Sequence, residues 1–124
     1  MRKALTPMGE TEMEILQLVW ERGESTVADI QEEIMKKRKV AYTTVMTIMK
    51  NLADKGYLTF RKEGLTYIYS PKKPEEDVKS SLLEAILTKV FKGSPTELVQ
   101  TLVKREKLSD AERDEIIELI KKMK

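Results

Sequence analysis

The chain has 124 residues with 23 basic and 21 acidic side chains, a net charge near +2, and neither histidine nor cysteine. That length fits one ordinary domain, or a small domain with an appendage, and leaves little room for an active site enclosed between two cores. Thiolate metal sites, disulfides and a histidine or cysteine nucleophile are excluded, and no P-loop pattern or paired metal-binding residues stand in for them, so neither a hydrolase nor a cofactor-dependent protein is expected.

The charge is polarised. Glu10 to Glu33 holds one basic residue against eight acidic ones, a balance of −7, whereas Ile34 to Lys73 holds ten basic against two acidic, a balance of +8. A stretch this positive suits a polyanionic partner. No apolar run is long enough to cross a bilayer, and Met1-Arg2-Lys3 is not followed by the apolar block of a secretion signal, so a cytoplasmic protein with no membrane partner is expected.

The spacing predicts a first helix from Glu10 to Glu21, with Thr6 and Pro7 as its start signal and Gly23 as its end. Met13, Leu16 and Trp20, widened by Ile15 and Val19, form a face suited to burial, and Trp20 reads as a core anchor. A second helix follows Thr26, whose hydroxyl caps the backbone while Asp29 sits in the first turn. Val27, Ile30 and Ile34 are its buried stripe. Lys36, Lys37, Arg38 and Lys39 close it, a run that suits a solvated helix C-terminus by itself and contacts to phosphate if the next helix faces DNA.

The third helix, Tyr42 to Lys55, divides its residues. Val45, Ile48, Met49 and Leu52 follow the i, i+3, i+4, i+7 pattern of a core face. Thr43, Thr44, Met46, Thr47, Lys50 and Asn51 are left at or beyond the turn that a recognition helix presents to base edges. Hydroxyls and an amide can hydrogen-bond bases or phosphates, and threonine methyls or the Met46 thioether can meet a thymine methyl. Three threonines within five positions weaken a helix without evident packing gain, which favours a reading role over a merely solvated face.

Gly56 ends that helix, and Tyr57 to Lys62 with Leu65 to Ser70 form a hairpin around Glu63-Gly64. Arg61 and Lys62 are expected at its tip, gripping phosphates; as an alternative, they guard an exposed strand edge. Tyr57, Phe60, Tyr67 and Tyr69 are expected to pack the hairpin on the core. Two helices, a basic turn, a third helix and a ribbon are the parts of a winged helix-turn-helix.

From Pro74 onward ten basic residues meet eleven acidic ones, so the positive excess is gone. Helix starts are marked at Pro74, at Ser94-Pro95-Thr96-Glu97 and at Ser109-Asp110-Ala111-Glu112, the last two matching a capping box. Short helices this apolar do not easily bury their faces among themselves, and a DNA reader commonly works in two copies. Val78, Leu82, Ile86, Val90, Leu98, Leu102, Ile116, Ile117 and Ile120, with Met123 beyond them, are therefore expected at a homodimer interface; folding back onto the N-terminal core is the alternative. The fold class predicted is mainly α with a small β-hairpin wing: a winged helix-turn-helix domain over residues 1–72 and a helical dimerisation region over 73–124.

Leu5-Thr6 followed by TEMEILQLVW, the segment AYTTVMTIMKNLADKGYL from Ala41 to Leu58, the wing ending YIYSP, and the tail VFKGSPTELVQTLVKREKLS resemble the penicillinase and methicillin-resistance repressors and their copper-responsive relatives. The resemblance covers nearly the whole chain. It implies a homodimeric winged-helix repressor on double-stranded DNA, at a two-fold symmetric operator, with interlocked C-terminal helices. The β-lactam-responsive members are cut by a sensor protease at an Asn-Phe bond, where this chain has Thr101 and Leu102, so a regulatory protease does not carry over with the resemblance. The cysteine cluster of the copper-responsive members is absent. Ala41 stands where many relatives have a serine able to cap the third helix. The alternative function is a winged helix used only for protein contact, which predicts a neutral or acidic third helix and wing.

Overall fold

The computed structural model describes residues 8–105 and 108–122, so the expected start signal Thr6-Pro7 and Met123 lie outside the described residues. Among the described residues, six helices and one hairpin follow in chain order: α1 Glu10–Arg22, α2 Val27–Met35, α3 Tyr42–Asp54, β1 Leu58–Glu63, β2 Thr66–Pro71, α4 Glu75–Lys89, α5 Pro95–Lys104 and α6 Asp110–Lys122. The chain divides into two compact units, with the boundary between Leu82 and Leu83.

In the first unit, α1 starts behind Gly9, whose N–H donates to Glu12 Oε1 at 2.9 Å. It ends at Gly23, in the left-handed region with φ 81°. At the start of α2, Thr26 and Asp29 exchange hydrogen bonds: Asp29 N–H donates to Thr26 Oγ1 at 3.1 Å, and Thr26 N–H donates to Asp29 Oδ2 at 3.0 Å. Two orphan donors of the helix end are thereby satisfied at once. α3 begins behind Ala41 with no side-chain cap. The turn before it is held instead by Gln31, whose amide donates to the Val40 carbonyl at 3.1 Å.

Gly56 closes α3 with φ 91°. Its N–H donates to Ala53 O and that of Tyr57 to Leu52 O, the paired bonds of a Schellman ending. The chain then enters β1, antiparallel to β2 with Leu58 opposite Pro71 and Glu63 opposite Thr66. Only Gly64 and Leu65 remain for the turn, and Gly64 takes φ 61° while Leu65 keeps a negative φ, the pattern of a II′ turn. Ser25 lies against the free side of β2, exchanging both backbone bonds with Tyr69.

The core collects Ile15, Leu16 and Val19 from α1, Val27, Ile30 and Ile34 from α2, and Val45, Met49 and Leu52 from α3. Leu58 and Tyr69 close it from the hairpin. Val78 of α4 is buried there too, and Leu82 packs partly against it. Those two positions, expected at a homodimer interface, thus serve the first unit's own core. The contact division falls ten residues beyond the sequence-based boundary at 72 for the same reason: the opening turns of α4 bury apolar surface on the winged helix. Trp20 is half-buried against this core, and its Nε1 has no hydrogen-bond partner among the described residues.

In the second unit, Ser94 and Ser109 cap α5 and α6 as their spacing predicts. Ser109 and Glu112 exchange both bonds of the box, whereas Ser94 accepts from Glu97 N–H and gives its own N–H to Phe91 O. Neither α5 nor α6 has a buried residue. Val99, Leu102 and Val103 of α5, and Ile117, Leu119 and Ile120 of α6, are 42–57% exposed. Among the described residues no helix is long and apolar enough to cross a membrane.

Candidate nucleic-acid interface

Helix α3 turns Val45, Met49 and Leu52 inward, which rotates Thr43, Met46, Thr47 and Lys50 outward; Thr44 and Asn51, on the flank, are exposed as well. Met46, Thr47, Lys50 and Asn51 open onto a hollow of about 1000 Å³ between α3 and the hairpin. Thr43 and Thr44, one turn earlier, do not line it. The hollow also takes in Thr26, Val27 and Ala28 at the start of α2, Tyr42 and Asp54 at the two ends of α3, and the hairpin residues Phe60, Leu65, Thr66, Tyr67 and Tyr69.

Strand alternation decides what the hairpin presents. Leu58, Phe60 and Lys62 share one face with Tyr67, Tyr69 and Pro71, their register partners, while Arg61 pairs with Ile68 on the other. Tyr69 is 4% exposed and belongs to the core, but Phe60 and Tyr67 remain 48% and 40% exposed. The expectation that these aromatics pack on the core holds for Tyr69 and for half-buried Tyr57, and fails for Phe60 and Tyr67. Their rings cluster at 5.0 Å, with Tyr69 5.6 Å from Phe60, and Lys62 Nζ lies 5.6 Å from the Tyr67 ring. Cation and aromatics thus form one surface toward α3.

The expected cations are not equivalent. Arg61 and Lys62 stand on β1, short of the tip formed by Gly64 and Leu65. Arg61 donates to Glu24 through two nitrogens and to Glu63 through Nε at 3.0 Å. The Arg61 hydrogen bond lowers the Glu24 carboxyl below its ordinary value, and the two carboxylates raise Arg61 further above its already high one. Arg38 is likewise engaged by Glu14, whose carboxyl that hydrogen bond lowers. Lys36 meets Glu33 at 3.2 Å, and Lys55 meets Glu12 at 3.0 Å. No carboxylate pairs with Lys37, Lys39, Lys50 or Lys62 among the described residues. With Lys72 and Lys73, which follow β2 and likewise meet no carboxylate among the described residues, those ammonium groups carry the unneutralised positive charge around α3 and the hairpin.

Tyr42, Asp54, Phe60, Leu65 and Tyr67 went unassigned to this surface in the sequence. For Phe60 and Tyr67 the period of two along each strand was the available signal; Asp54 was visible as eight residues, two turns, beyond Met46. No cluster of three or more acidic, histidine or cysteine side chains that could hold a metal occurs among the described residues.

The chain is 27% identical over 115 residues to the methicillin resistance regulatory protein MecI of Mammaliicoccus sciuri, covering 93% of this chain and 94% of that one. It is 22% identical over 122 residues to the penicillinase repressor of Bacillus licheniformis, covering 98% and 95%. The solved DNA-binding domain of the repressor BlaI superposes on it with a TM-score of 0.52 at 25% identity, over 61% of this chain and 93% of that one. A mutant MarR from E. coli shares the fold over 94% of this chain and 77% of its own, at 13% identity and a TM-score of 0.54. Three helices followed by a hairpin, with the third helix exposed beside it, agree with a family model for the penicillinase repressor that matches residues 8–122. This chain belongs to the penicillinase repressor family, whose members are winged-helix, DNA-binding transcriptional repressors and not enzymes.

Proposed function

We propose that this chain represses transcription as a homodimer on an inverted-repeat operator, with α3 of each copy in the major groove of one half-site. The observation that carries the reading is the division of α3: its apolar stripe is buried while Met46, Thr47, Lys50 and Asn51 face open space beside the hairpin. Lys50 and Asn51 suit bidentate contacts to guanine and adenine edges, and Thr43, Thr44 and Thr47 suit shorter contacts to bases or phosphates. Lys37, Lys39 and Lys62 suit phosphates flanking the groove, which orient the protein without reading sequence, and Lys36 joins them on leaving Glu33. Arg38 and Arg61 join them only by leaving Glu14 and Glu24.

Dimerisation rests on the second unit. Exposed apolar residues in this number mark an association surface on a protein that stays soluble. Val90, Leu102, Ile117 and Ile120 are its most exposed expected members, with Ile86, Leu98 and Ile116 half-covered. A winged helix used only for protein contact has no need of unneutralised lysines around its third helix. Selection of bound duplexes from a random pool at near-physiological salt tests the reading. Recovery of an inverted repeat supports it, and its half-site spacing gives the separation of the two α3 helices. A pool that shows no enrichment overturns it.

A further inference from the structure

The tip of the wing carries an apolar side chain where a polar one is the rule. A two-residue hairpin turn normally holds glycine, asparagine, aspartate or serine. Here Gly64 supplies the positive φ and Leu65 follows it, 94% exposed, more than any other large apolar residue described. Its side chain contributes almost nothing to folding, since water already surrounds it. Nor is the turn turned away from α3: Leu65 lines the same hollow as Met46, Thr47 and Lys50. Between tip and helix runs an apolar strip of Phe60 and Tyr67, with Lys62 beside Tyr67.

We propose that Leu65 is a minor-groove wedge. When α3 occupies the major groove, one sugar-phosphate strand crosses the hollow, its deoxyribose rings against Phe60 and Tyr67 and its phosphates within reach of Lys50 and Lys62. The groove on the far side of that strand is the minor groove, and Leu65 is the residue that meets it. Apolar side chains inserted there part a base step and kink the duplex, most easily at flexible pyrimidine–purine steps. Leu65 thereby adds sequence preference outside the bases that α3 touches. The inference rests on the operator reading given above, and extends the recognised site by one step beyond each half-repeat.

The test is a second selection, using the recovered repeat with randomised flanks, for the full chain and for Leu65→Ser and Leu65→Met. Leu65 makes no buried contact, so both variants retain the fold, which Trp20 fluorescence checks. The full chain and Leu65→Met are expected to favour a pyrimidine–purine step over a stiff A-tract at one fixed distance outside each half-site. The preference is about tenfold, the weight of an ordinary base-pair mismatch. Leu65→Ser is expected to bind the repeat and lose that flank preference. A flank preference that survives in Leu65→Ser, or is absent from the full chain, overturns the wedge while leaving α3 as the reader. A Leu65→Ser protein unaltered on DNA but altered in sedimentation assigns the tip to protein contact and also overturns it. Failure to recover any repeat in the first selection removes both readings together.

Discussion

Arg38 sets two guanidinium nitrogens on the carboxylate of Glu14, at 3.0 and 2.8 Å. The bond fastens the turn after α2 to α1 across 24 residues of sequence, and it neutralises one of four consecutive cations. Charge run and phosphate contact are therefore separable. Lys37→Ala with Lys39→Ala is expected to lower affinity for every duplex and to reduce the slope of log affinity against log salt by up to about two units. Arg38→Ala is expected to change that slope by much less than one unit. Anisotropy titrations at several salt concentrations check both, and equal losses from Arg38 and the lysines would show that Glu14 releases Arg38 on binding.

Glu24 holds Arg61 from beyond β2, on the hairpin face away from α3. Glu24→Gln removes one negative charge and loosens a cation that phosphates can then use. Affinity is expected to rise for operator and random DNA alike, by less than about tenfold, with the salt slope steeper by about one unit. Unchanged binding would mean that Arg61 stays off the backbone whether or not Glu24 holds it.

Thr47→Ala and Lys50→Ala act on discrimination instead. Each is expected to cost about 1–3 kcal/mol on the operator and far less on random duplex. Competition of the two DNAs for each variant measures the ratio. A uniform loss across sequences would reassign these side chains to phosphate.

The two arginines also mark where sequence reasoning ends. Periodicity located α3 to within a residue, because Val45, Met49 and Leu52 must share a face, and Thr26 announced itself as the cap of α2, whereas the return bond from its N–H to Asp29 came only with the structure. The hairpin followed from Gly64 between two β-rich runs. A pairing such as Arg61 with Glu24, 37 residues apart, depends on the path of the chain in space, and no local pattern encodes it. The same holds for Val78: its apolar character was evident, but whether it faced its own core or another copy was a tertiary matter. Leu65 was visible as an apolar residue beside a turn, yet only the two-residue loop shows it standing alone at the tip.

Acid should weaken the first unit through identifiable carboxyls. Arg38 lowers Glu14. In Glu12, burial raises the carboxyl but the Gly9 N–H and Lys55 outweigh it, and in Asp29 the Thr26 N–H is the chief lowering influence. Groups lowered on folding contribute stability that is fully present above their ordinary values, 4.5 for Glu and 3.8 for Asp, and is lost as pH falls through the lowered folded values. Urea midpoints are expected to be level near neutrality and to decline below about pH 4.5. Substituting Glu12→Gln, Glu14→Gln and Asp29→Asn together should lower the neutral-pH midpoint and flatten the decline; an equally steep decline would place the acid sensitivity elsewhere.

Charging the second unit's exposed apolar surface should separate the copies without unfolding the winged helix. Leu102→Asp or Ile117→Asp is expected to yield monomers in sedimentation, with operator affinity much reduced. Intact dimers would move the interface off α5 and α6. Val78 and Leu82 are unsuitable for this experiment, since charging them also disturbs the first unit's core.

The single tryptophan and all four tyrosines, Trp20, Tyr42, Tyr57, Tyr67 and Tyr69, fall before the boundary at Leu82, whereas Phe91 is the one aromatic beyond it. The tryptophan and tyrosine bands in near-ultraviolet absorbance and circular dichroism, and the tryptophan fluorescence, are thus signals of the winged helix, apart from the weaker short-wavelength bands of Phe91. Helix α5 or α6 can melt without a direct spectral trace there, while far-ultraviolet ellipticity registers the loss. The chain comes already labelled for observing its two units separately, with no dye or engineered residue.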